Sequence, residues 1–542
     1  MNRQSWRKDR QYTEEELQIA GVILTEVQSG IPIMKAVRSH PLKQGGYIAK
    51  HTLVYVYSQN LEKGLIKENP ALLARIRMKP VRSLSGVSTV TVLTKPYSCP
   101  GECLFCPDDQ QLPKSYLREE PGAARAFQNN FDPYLQVKSR LDSYKAIGHP
   151  TDKIELLILG GSWNAYPLDY REWFVKRCLD AMNEQDAENL QKAQTTNQSA
   201  VNRNVGLVVE TRPDMLSAAE LAHMRYLGVT KVQMGAQSFS DEILKLNCRG
   251  HAVQDTLNAC ALLRAAGFKI VLHWMPNLMG ATLNSDREDF QRMWSGGFCP
   301  DEIKIYPTQL LREAPLYQYW VDGKYTPYAT EDLVSLITDI KPAIPIYSRV
   351  NRVVRDIPAS YIQAGSRRSS LRLDVKKELD RRGQHCRCIR CREIRGKFVD
   401  INQLHLDDYV YHPADTEEHF ISYVTADDQL AGFLRLSLPV KPDTSTRLQN
   451  LNSLYQQIPE LSGVALIREV HIYGQSLEVG SEITGAAQHS GLGAALLKEA
   501  ERISVNGGFS KLAVIAAIGT RLYYEKRGFK SEHLYMTKSI PG

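Results

Sequence analysis

The chain has 542 residues, of which 43% are hydrophobic and 23% charged, and its net charge is +7. This composition is ordinary for a globular protein, and ten cysteines in a chain of this length exclude a disulfide scaffold. The longest apolar runs, such as LAVIAA at 512–517, are far shorter than the ~20 residues that cross a bilayer. The polar start MNRQSWRKDR has no apolar signal core, so we expect a cytoplasmic protein of two to four domains without a membrane segment.

The first 80 residues are predicted to be helical and basic. TEEELQIAGVILTEVQSG begins with Thr13 as an N-cap, followed by acidic residues and an apolar stripe, and PALLARIRMKP forms a second helix. Residues 1–82 hold 14 Lys and Arg against 7 Asp and Glu. Such a segment can bind a polyanion or can form solvated helix faces, and both interpretations stay open.

Six short β-rich runs with helical patterns between them follow in residues 81–364. The runs are VSTVTVLT (87–94), IELLILGG (154–161), VGLVVET (205–211), KVQMGAQS (231–238), KIVLHWMP (269–276) and EIKIYPT (302–308). Nearly continuous apolar strands that alternate with helices predict a parallel α/β sheet. Ligands bind at the carboxyl ends of such strands. The polar segment 187–204 is predicted to be an exposed insertion.

The loop after the first run is CPGECLFCPDD, in which Cys99, Cys103 and Cys106 are spaced C-x3-C-x2-C. Three thiolates can hold three irons of a [4Fe–4S] cluster and leave the fourth iron open. A zinc site with a remote fourth ligand is the alternative. The spacing and its place after the first strand resemble the radical S-adenosylmethionine (SAM) superfamily. That resemblance implies a partial (β/α)6 barrel, SAM on the open iron, an electron donor, and a 5′-deoxyadenosyl radical.

Glycines and polar residues follow the later strands. Gly160 and Gly161 allow a ligand to approach the backbone, and in the superfamily the equivalent strand end lies against the SAM amino group. Glu210 and Arg212 are candidates for the SAM ribose and carboxylate, or they form an interstrand ion pair. The remaining strand-end candidates could also belong to satisfied polar networks. We assign one of them to cofactor binding (Gln237) and two to catalysis (His273 and Lys304), and leave Ser238 and Arg249 without a role.

Residues 365–400 are rich in Arg and Cys and are predicted to be a linker. HCRCIRC places His385, Cys386, Cys388 and Cys391 within seven residues, and these ligands suit a tetrahedral zinc. Loose surface thiols are the alternative, and a distant His could replace His385. Residues 349–400 hold 15 Lys and Arg against 6 Asp and Glu. Because guanidinium groups suit phosphates, this segment predicts a nucleic-acid surface.

From about residue 401 an antiparallel β pattern predicts a separate α+β domain, 401–542. QHSGLGAALL (488–497) lies between a strand, REVHIYG (468–474), and a strand–helix pair, KLAVIAAIGTRLYYEKRGF (511–529). A glycine-rich loop before a helix exposes N–H groups that can hold phosphates. Its Q-x-x-G-x-G pattern, with Gln488 and Gly491, resembles the pyrophosphate loop of GNAT acetyltransferases. That resemblance implies acetyl-CoA, with Tyr523 and Tyr524 as candidates to act at the thioester, although core packing could explain one of them.

The combined motifs resemble the Elongator catalytic-subunit family in its single-subunit form. Further matches are KPVRSLSGV (79–87), TDKIELLILGG (151–161), RGH (249–251), IKIYPT (303–308) and RVVRDIP (352–358). The family implies that the wobble uridine of certain tRNAs receives a carboxymethyl group at carbon 5, with a SAM-derived radical and acetyl-CoA as the two-carbon source. It also implies acetyl-CoA contacts from Lys153, Glu469, Val470, His471, Ile472, Leu492, Gly493, Ala494 and Tyr524.

The implied partner is a tRNA anticodon stem-loop, whose flipped base needs a basic groove and a site shielded from water. The segments 1–82 and 349–400 could supply that groove. A homo-oligomer or other subunits are possible further partners. One departure from the family is PDD after the third cluster cysteine, where members commonly have Pro-Gly-Gly, and the role of Asp108 and Asp109 is unassigned.

Two other classes of function stay open. A protein lysine acetyltransferase with a structural iron–sulfur unit would leave the open iron position and the basic segments unused. A tRNA-binding scaffold without catalysis predicts that Cys103→Ala leaves function intact.

Overall fold

The computed structural model describes residues 11–83, 85–395, 399–473 and 491–541. These residues form a group of amino-terminal helices, a parallel sheet with its helices, and a second sheet with three helices. In the described parts of the chain, no helix has the length and apolar character to cross a membrane. The predicted fold class, α/β followed by α+β with a helical start, is confirmed.

The amino-terminal helices pack around a small core of their own, which includes Ile23, Leu53 and Ile76. Thr13 caps the first helix as predicted, because its Oγ1 accepts from Glu16 N at 3.2 Å while Thr13 N donates to the Glu16 carboxylate at 2.9 Å. The helices are α1 (Glu14–Gln28), α2 (Ile33–Ser39), α3 (Lys50–Glu62) and α4 (Pro70–Ile76).

The first sheet has seven parallel strands in the spatial order β1-β2-β3-β4-β5-β6-β8. Six of them are the predicted runs, and the seventh lies in the basic segment 349–400, where its sequence RVNR gave no apolar signal. The strands are β1 (Ser88–Leu93), β2 (Lys153–Leu159), β3 (Arg203–Thr211), β4 (Lys231–Gln237), β5 (Lys269–Trp274), β6 (Glu302–Ile305) and β8 (Arg349–Arg352). Two short strands, β7 (Leu310–Leu311) and β9 (Ile362–Ala364), pair with each other.

Twelve helices connect or flank these strands in the described part of the chain. They are α5 (Pro121–Gln128), α6 (Pro133–Ala146), α7 (Leu168–Asn183), α8 (Leu190–Asn197), α9 (Ala218–Leu227), α10 (Asp241–Leu246), α11 (Val253–Ala265), α12 (Leu283–Ser295), α13 (Leu316–Val321), α14 (Thr330–Ile340), α15 (Leu371–Arg381) and α16 (Ile389–Arg392). Helix α15 lies inside the predicted linker, yet its Leu371 and Val375 are fully buried in the core of the first sheet.

The prediction that 187–204 is an exposed insertion is wrong. Leu190 on α8 is 1% exposed and Asn197 is fully buried. The Asn197 amide group donates to Asn183 Oδ1 at 2.8 Å, and its oxygen accepts from Asn204 N at 2.7 Å. Polar composition misled the prediction because buried amides are tolerated when their hydrogen bonds are satisfied.

The second sheet has the order β10-β11-β12-β13-β14-β16-β15. Its neighbours are antiparallel except β13 and β14, which pair in parallel over only Ala465–Ile467 and Leu512–Val514. Beyond Ile467, β13 stays paired with β12 while no described strand covers its other edge. The elements are β10 (His405–Tyr411), β11 (Thr416–Val424), β12 (Leu430–Pro439), α17 (Ser445–Gln457), β13 (Ala465–Ile472), α18 (Leu492–Asn506), β14 (Lys511–Val514), α19 (Arg521–Glu525), β15 (Lys530–Glu532) and β16 (Tyr535–Ser539).

Buried charges join the two sheets. The Asp301 carboxylate, just before β6, accepts from Arg468 on β13 at 2.6 and 2.9 Å. Arg435 on β12 lies 3.3 Å from the same carboxylate, and Arg468 also donates to Glu418 at 3.0 Å. All four side chains are at most 1% exposed, so the relative position of the two sheets depends on these contacts.

Candidate active site

One cavity of about 1310 Å³ passes through the parallel sheet and reaches the second sheet. At the carboxyl ends of the strands it is lined by the three-cysteine loop, and at the amino ends by Lys231, Lys269, Glu302 and Arg349, each the first residue of its strand. Beyond these charged residues the lining continues onto the second sheet, with Phe433, Arg435, Glu469, Val470, His471, Tyr473 and Tyr524.

The three cysteines all line the carboxyl-end opening of this cavity. Gly101 N donates to Cys99 Sγ at 3.5 Å, and Arg249 Nη1 donates to Cys103 Sγ at 3.4 Å. The Cys106 thiol donates to Cys103, and this hydrogen bond, with the positive charge of Arg249, lowers the pKa of Cys103 to about 5. A thiolate is the form that binds iron.

The separation of these sulfurs fits a multi-iron cluster better than a single ion. Ligands of one tetrahedral zinc lie ~2.3 Å from the metal and are therefore close to one another. Among the described residues, the one group of three His, Cys, Asp or Glu side chains whose ligand atoms all lie within 4.8 Å of one another is Cys386, Cys388 and Cys391. The set Cys99, Cys103 and Cys106 does not meet this limit, so its arrangement is not that of three ligands of one zinc.

The carboxyl ends of β3 and β4 present polar atoms that lack partners. Arg212 donates to Asp214 through two bonds of 2.9 Å, so its ion pair is local in sequence rather than interstrand. Within the described structure, Arg212 Nη1 and Gln237 Oε1 are buried without a hydrogen-bond partner. Gln237 also has the left-handed φ of +70°. Buried unsatisfied groups of this kind fit a polar ligand such as SAM.

The two predicted glycines have different surroundings. A Cβ on Gly160 would lie 1.9 Å from Thr94 Oγ1, so this glycine allows β1 and β2 to approach each other. Gly161 has a φ of +92° and lines the cavity, and a Cβ there would meet its nearest neighbour, the carbonyl oxygen of Lys114, only at 3.9 Å. Of the pair, Gly161 offers the open backbone surface.

His273 and Lys304 are neighbours on β5 and β6, inside the cavity. Both contact Gln233 Oε1 on β4: His273 Nε2 lies 3.2 Å from it, and Lys304 Nζ donates to it. Burial lowers the pKa of Lys304 to about 8 and, with the charge of Lys304, the pKa of His273 well below its usual value. Near neutral pH His273 is therefore uncharged, while Lys304 can lose or gain a proton.

Glu210 completes this group from β3. Its carboxylate accepts from Tyr116 OH at 3.0 Å and lies 3.9 Å from His273 Nδ1. Sequence reasoning missed Gln233 and Tyr116. Gln233 lies inside an apolar strand rather than at its end, and Tyr116 lies in a long loop, so neither carried a positional signal.

At the other end of the cavity, β13 supplies Glu469 and His471. Glu469 accepts from Arg435 Nε at 3.0 Å and from Lys269 Nζ across the boundary between the sheets. Burial lowers the pKa of His471 to about 4, which keeps its ring neutral. Tyr524 also faces this space, and burial raises the pKa of its hydroxyl.

Tyr523 and Tyr524 lie in different environments. The Arg527 guanidinium lies 3.6 Å from the centre of the Tyr523 ring. A Cβ on Gly493 would be 2.7 Å from Tyr523 Oη, so this glycine lets the ring approach the start of α18. Gly491 is the N-cap of α18, with a φ of +79°, and Gln488 lies outside the described residues. Of the described candidates, those outside the cavity lining are Lys153, Gly160, Cys388, Ile472, Gly491, Leu492, Gly493, Ala494 and Tyr523.

Cys386, Cys388 and Cys391 form the compact thiol group noted above. Hydrogen bonds from Cys386 and Cys391 lower the pKa of Cys388 well below its usual value, so the group offers a thiolate to a metal. The ring nitrogens of His385 are not part of the group in the described structure. The three thiols fit three positions of a tetrahedral zinc.

Most arginines of the basic segment 349–400 are already paired. Their partners lie at 2.6 to 3.3 Å: Arg349–Glu393, Arg352–Asp356, Arg355–Glu120, Arg381–Glu378, Arg382–Asp339, Arg387–Asp428, Arg392–Asp428 and Arg395–Glu393. Among the described residues of the segment, no ion pair involves Arg367, Arg368, Arg372, Arg390, Lys376 or Lys377, and Lys376 lines the cavity. The free charge for a polyanion is therefore smaller than the sequence count suggested.

Comparisons with known proteins agree with this geometry. The family model of the Radical SAM superfamily matches residues 95–291, and that of the Radical_SAM C-terminal domain matches residues 300–381. The chain is 39% identical over 499 residues to the tRNA uridine(34) acetyltransferase of Methanocaldococcus infernus, covering 89% of this chain and 91% of that protein. It is 40% identical over 464 residues to the protein of that name from Dehalococcoides mccartyi, covering 85% of this chain and 99% of that protein.

Two further similarities extend the comparison. The chain is 33% identical over 495 residues to human Elongator complex protein 3, covering 86% of this chain and 87% of the human protein. The solved structure of archaeal Methanocaldococcus infernus Elp3 with an N-terminal deletion (1–46) superimposes with a TM-score of 0.72 at 36% identity. That match covers 84% of this chain and 99% of the archaeal one.

Proposed function

The chain belongs to the family of tRNA uridine(34) acetyltransferases and Elongator complex protein 3, and on this premise we propose that it carboxymethylates the wobble uridine of tRNA with SAM and acetyl-CoA. The observation that carries the proposal is the single cavity with the cluster cysteines at one end and β13 of the second sheet at the other. A reaction that combines two cofactors on one base needs both sites to open into one water-shielded space.

Cys99, Cys103 and Cys106 would hold the [4Fe–4S] cluster, and the open iron would take SAM. When bound and reduced, this pair supplies a carbon-centred radical that abstracts hydrogen. The chain's own residues orient the ligand: Arg212 Nη1 and Gln237 Oε1 are the buried polar atoms that need partners there, and Gly161 leaves its backbone open toward the cavity.

His273, Lys304 and Glu210 would act on the base at the carboxyl ends of the strands. Carbon 5 of the uracil would receive its substituent as a radical and must then give up a proton and one electron. The oxidised cluster could take back the electron, and we assign the proton to Lys304 Nζ. The lowered pKa of this amine, about 8, makes the transfer accessible near neutral pH. Neutral His273 and Gln233 hold the amine in place.

Acetyl-CoA would lie along β13 and the start of α18. Beyond Ile467, the edge of β13 that no described strand covers would offer backbone groups to an extended ligand, and the amino end of α18 suits its pyrophosphate. Glu469, Val470 and His471 line the space. When water adds to the thioester carbon and the C–S bond breaks, Tyr524 Oη would protonate the leaving thiolate. Lys153, Ile472, Leu492, Gly493, Ala494 and Tyr523 would support this site from outside the cavity lining, with Gln488 and Gly491 in the phosphate loop.

The domain assignment follows from these roles. We assign residues 81–364 to the radical SAM unit and 401–542 to the acetyl-CoA unit. Residues 1–80 would contact tRNA. The segment 365–400 would join the units, although α15 within it packs on the first sheet.

The direct test uses anaerobically reconstituted, reduced protein with SAM, acetyl-CoA and tRNA. We expect carboxymethyluridine in the digested tRNA by mass spectrometry, and none when SAM or acetyl-CoA is omitted. Efficient acetylation of protein lysines with unmodified tRNA would overturn the proposal in favour of a lysine acetyltransferase. Tight tRNA binding without modification would indicate a scaffold.

Lys376 is expected to contribute to tRNA affinity through a phosphate contact. Lys376→Glu should weaken binding uniformly across tRNA sequences and lower the slope of log affinity against log salt by about 1. The measurement is a filter-binding series at several salt concentrations. Lys192→Glu, an exposed lysine outside both basic segments, is the matched control, and an equal slope in the two variants would contradict the assignment.

The group Cys386, Cys388 and Cys391 is proposed to hold one zinc that fastens the segment before β10. Purified protein should contain about one zinc per chain by plasma mass spectrometry, and Cys388→Ser should lose it. Cys178→Ser, at a buried thiol outside the group, should keep it. Full zinc content in Cys388→Ser would refute the site.

A further inference from the structure

Arg249 lies against the sulfur of a cluster cysteine. It follows α10 in a tight turn between Cys248 and Gly250, which have φ values of +53° and +75°. Its side chain donates from Nη1 to Cys103 Sγ at 3.4 Å and from Nη2 to Gly235 O at 2.7 Å, and the residue is 6% exposed. The guanidinium is thus fixed at two points, one of them a cluster ligand.

The glycines around Cys103 provide the space for this arrangement. A Cβ on Gly235 would lie 2.7 Å from Arg249 Nη2, and one on Gly101 would lie 2.2 Å from Arg212 Nη1. The turn also braces the cluster loop, because Leu104 N donates to Asn247 O at 3.2 Å. The backbone is therefore shaped to bring a guanidinium to the sulfur.

The charges of the two arginines near Cys103 are not equivalent. The guanidinium of Arg212 is neutralised by Asp214 through two hydrogen bonds. In the part of the chain that the structure describes, Arg249 makes no ion pair with a carboxylate, and its Nε has no hydrogen-bond partner. A buried cation without a counter-ion is costly, and the anion within reach is the Cys103 thiolate.

We propose that Arg249 is the counter-ion of the cluster and raises its reduction potential through the Cys103 sulfur. The inference rests on the cluster of the proposed function and adds a tuning role for a residue outside the ligand set. Reduction makes the cluster one unit more negative, so a positive charge and a hydrogen bond at a ligand sulfur stabilise the reduced state. The role is one of positioning and electrostatics, since Arg249 is not a ligand of the iron.

The test is a redox titration of the reconstituted full chain, followed by the electron paramagnetic resonance signal of the reduced cluster, without SAM, tRNA or acetyl-CoA. In Arg249→Gln the ratio of reduced to oxidised cluster at the wild-type midpoint should fall about tenfold, which is about 59 mV for one electron. Arg249→Lys keeps the charge and should retain most of the wild-type potential. Lys114→Gln is the control, because Lys114 Nζ donates to Gly101 O at 2.9 Å and not to sulfur, and it should shift the potential less.

An unchanged midpoint in Arg249→Gln with full iron content overturns the proposal. If Arg249→Gln fails to assemble the cluster, the thermal stability of the cluster-free chain decides. A counter-ion role predicts that, without cluster, Arg249→Lys is more stable than Arg249→Gln, since lysine keeps the positive charge beside the Cys103 thiolate. Equal destabilisation of cluster-free Arg249→Gln and Arg249→Lys overturns it in favour of a structural role. A wild-type chain that holds no cluster would instead refute the proposed function itself.

Discussion

Cys103→Ala should reduce tRNA modification to background while leaving tRNA binding intact. Cys103 is 3% exposed and contacts both Cys106 and Arg249. Its substitution removes one of the three thiolate ligands. We therefore expect the chain to lose the cluster, and with it the bound SAM that would provide the radical. The loss should be complete rather than graded, because no described cysteine other than the three ligands lines this end of the cavity.

Three measurements on one preparation check this expectation. Iron analysis should fall well below about four atoms per chain, the carboxymethyluridine yield should vanish, and tRNA affinity should stay within about twofold of the wild type, because the substitution removes no basic side chain. Cys248→Ala is the matched control, since Cys248 is an exposed thiol outside the described cavity lining. Modification by Cys103→Ala at the wild-type rate would exclude the radical mechanism and support a scaffold.

The strands of the first sheet could be predicted because burial on both faces requires apolar runs, and six of the seven strands have them. The seventh, β8, has the sequence RVNR. Arg349 and Asn351 on it line the cavity, where Asn351 donates to Glu302 at 2.6 Å and Arg349 pairs with Glu393 at 2.9 Å. A strand whose inward face lines a polar cavity gives no apolar signal.

Predictions made from composition alone were inaccurate for the basic segment 349–400 and the polar segment 187–204. Of the twelve arginines in 349–400, eight pair with carboxylates, and four of these pairs have partners from other parts of the fold, such as Glu120 and Asp428. Within 187–204, the buried amide of Asn197 is hydrogen-bonded to Asn183 and to the backbone of Asn204. Counting residues reports how many polar groups exist, whereas their partners come from distant segments that a local pattern does not identify.

The sequence motifs predicted individual parts of the candidate site, but not how these parts are connected in space. The cysteine spacing is a local pattern, so the carboxyl-end opening of the cavity could be located, whereas the described part of the glycine-rich loop lies outside the cavity lining. The connection between the two ends of the cavity depends on two features that no local pattern shows. The parallel pairing of β13 with β14 ends at Ile467, and Lys269 contacts both Glu302 and Glu469, which lie far from it in sequence. Gln233 and Arg249 gained their significance only from neighbours contributed by other strands and loops.

Asp301→Asn is expected to destabilise the packing of the two sheets more than any single surface substitution. The carboxylate is fully buried and neutralises Arg468 and Arg435, and it also accepts from Ile270 N at 2.8 Å. Removing one partner of a buried charge group leaves cations uncompensated, which costs about 3–5 kcal/mol. Asp142→Asn, in an exposed pair with Lys138 at 3.2 Å, is the control, because surface pairs contribute ~0–1 kcal/mol.

The destabilisation expected for Asp301→Asn should also depend on pH, in a direction that follows from the pKa of Asp301. Burial alone would raise the pKa of Asp301, but the charges of Arg468 and then Arg435 outweigh it and hold the pKa well below its usual range. A carboxyl with a depressed pKa in the folded state contributes stability that is fully present above its unfolded pKa of about 3.9 and is lost as the pH falls through its folded pKa. Thermal unfolding followed by circular dichroism should therefore show a large difference in midpoint between wild type and Asp301→Asn at pH 7, and a smaller difference as the pH falls below about 4. A midpoint difference that is equally large at low pH would show that the loss of stability comes from altered packing around the substituted side chain rather than from charge. Equal midpoints at pH 7 would show that other contacts hold the two sheets together.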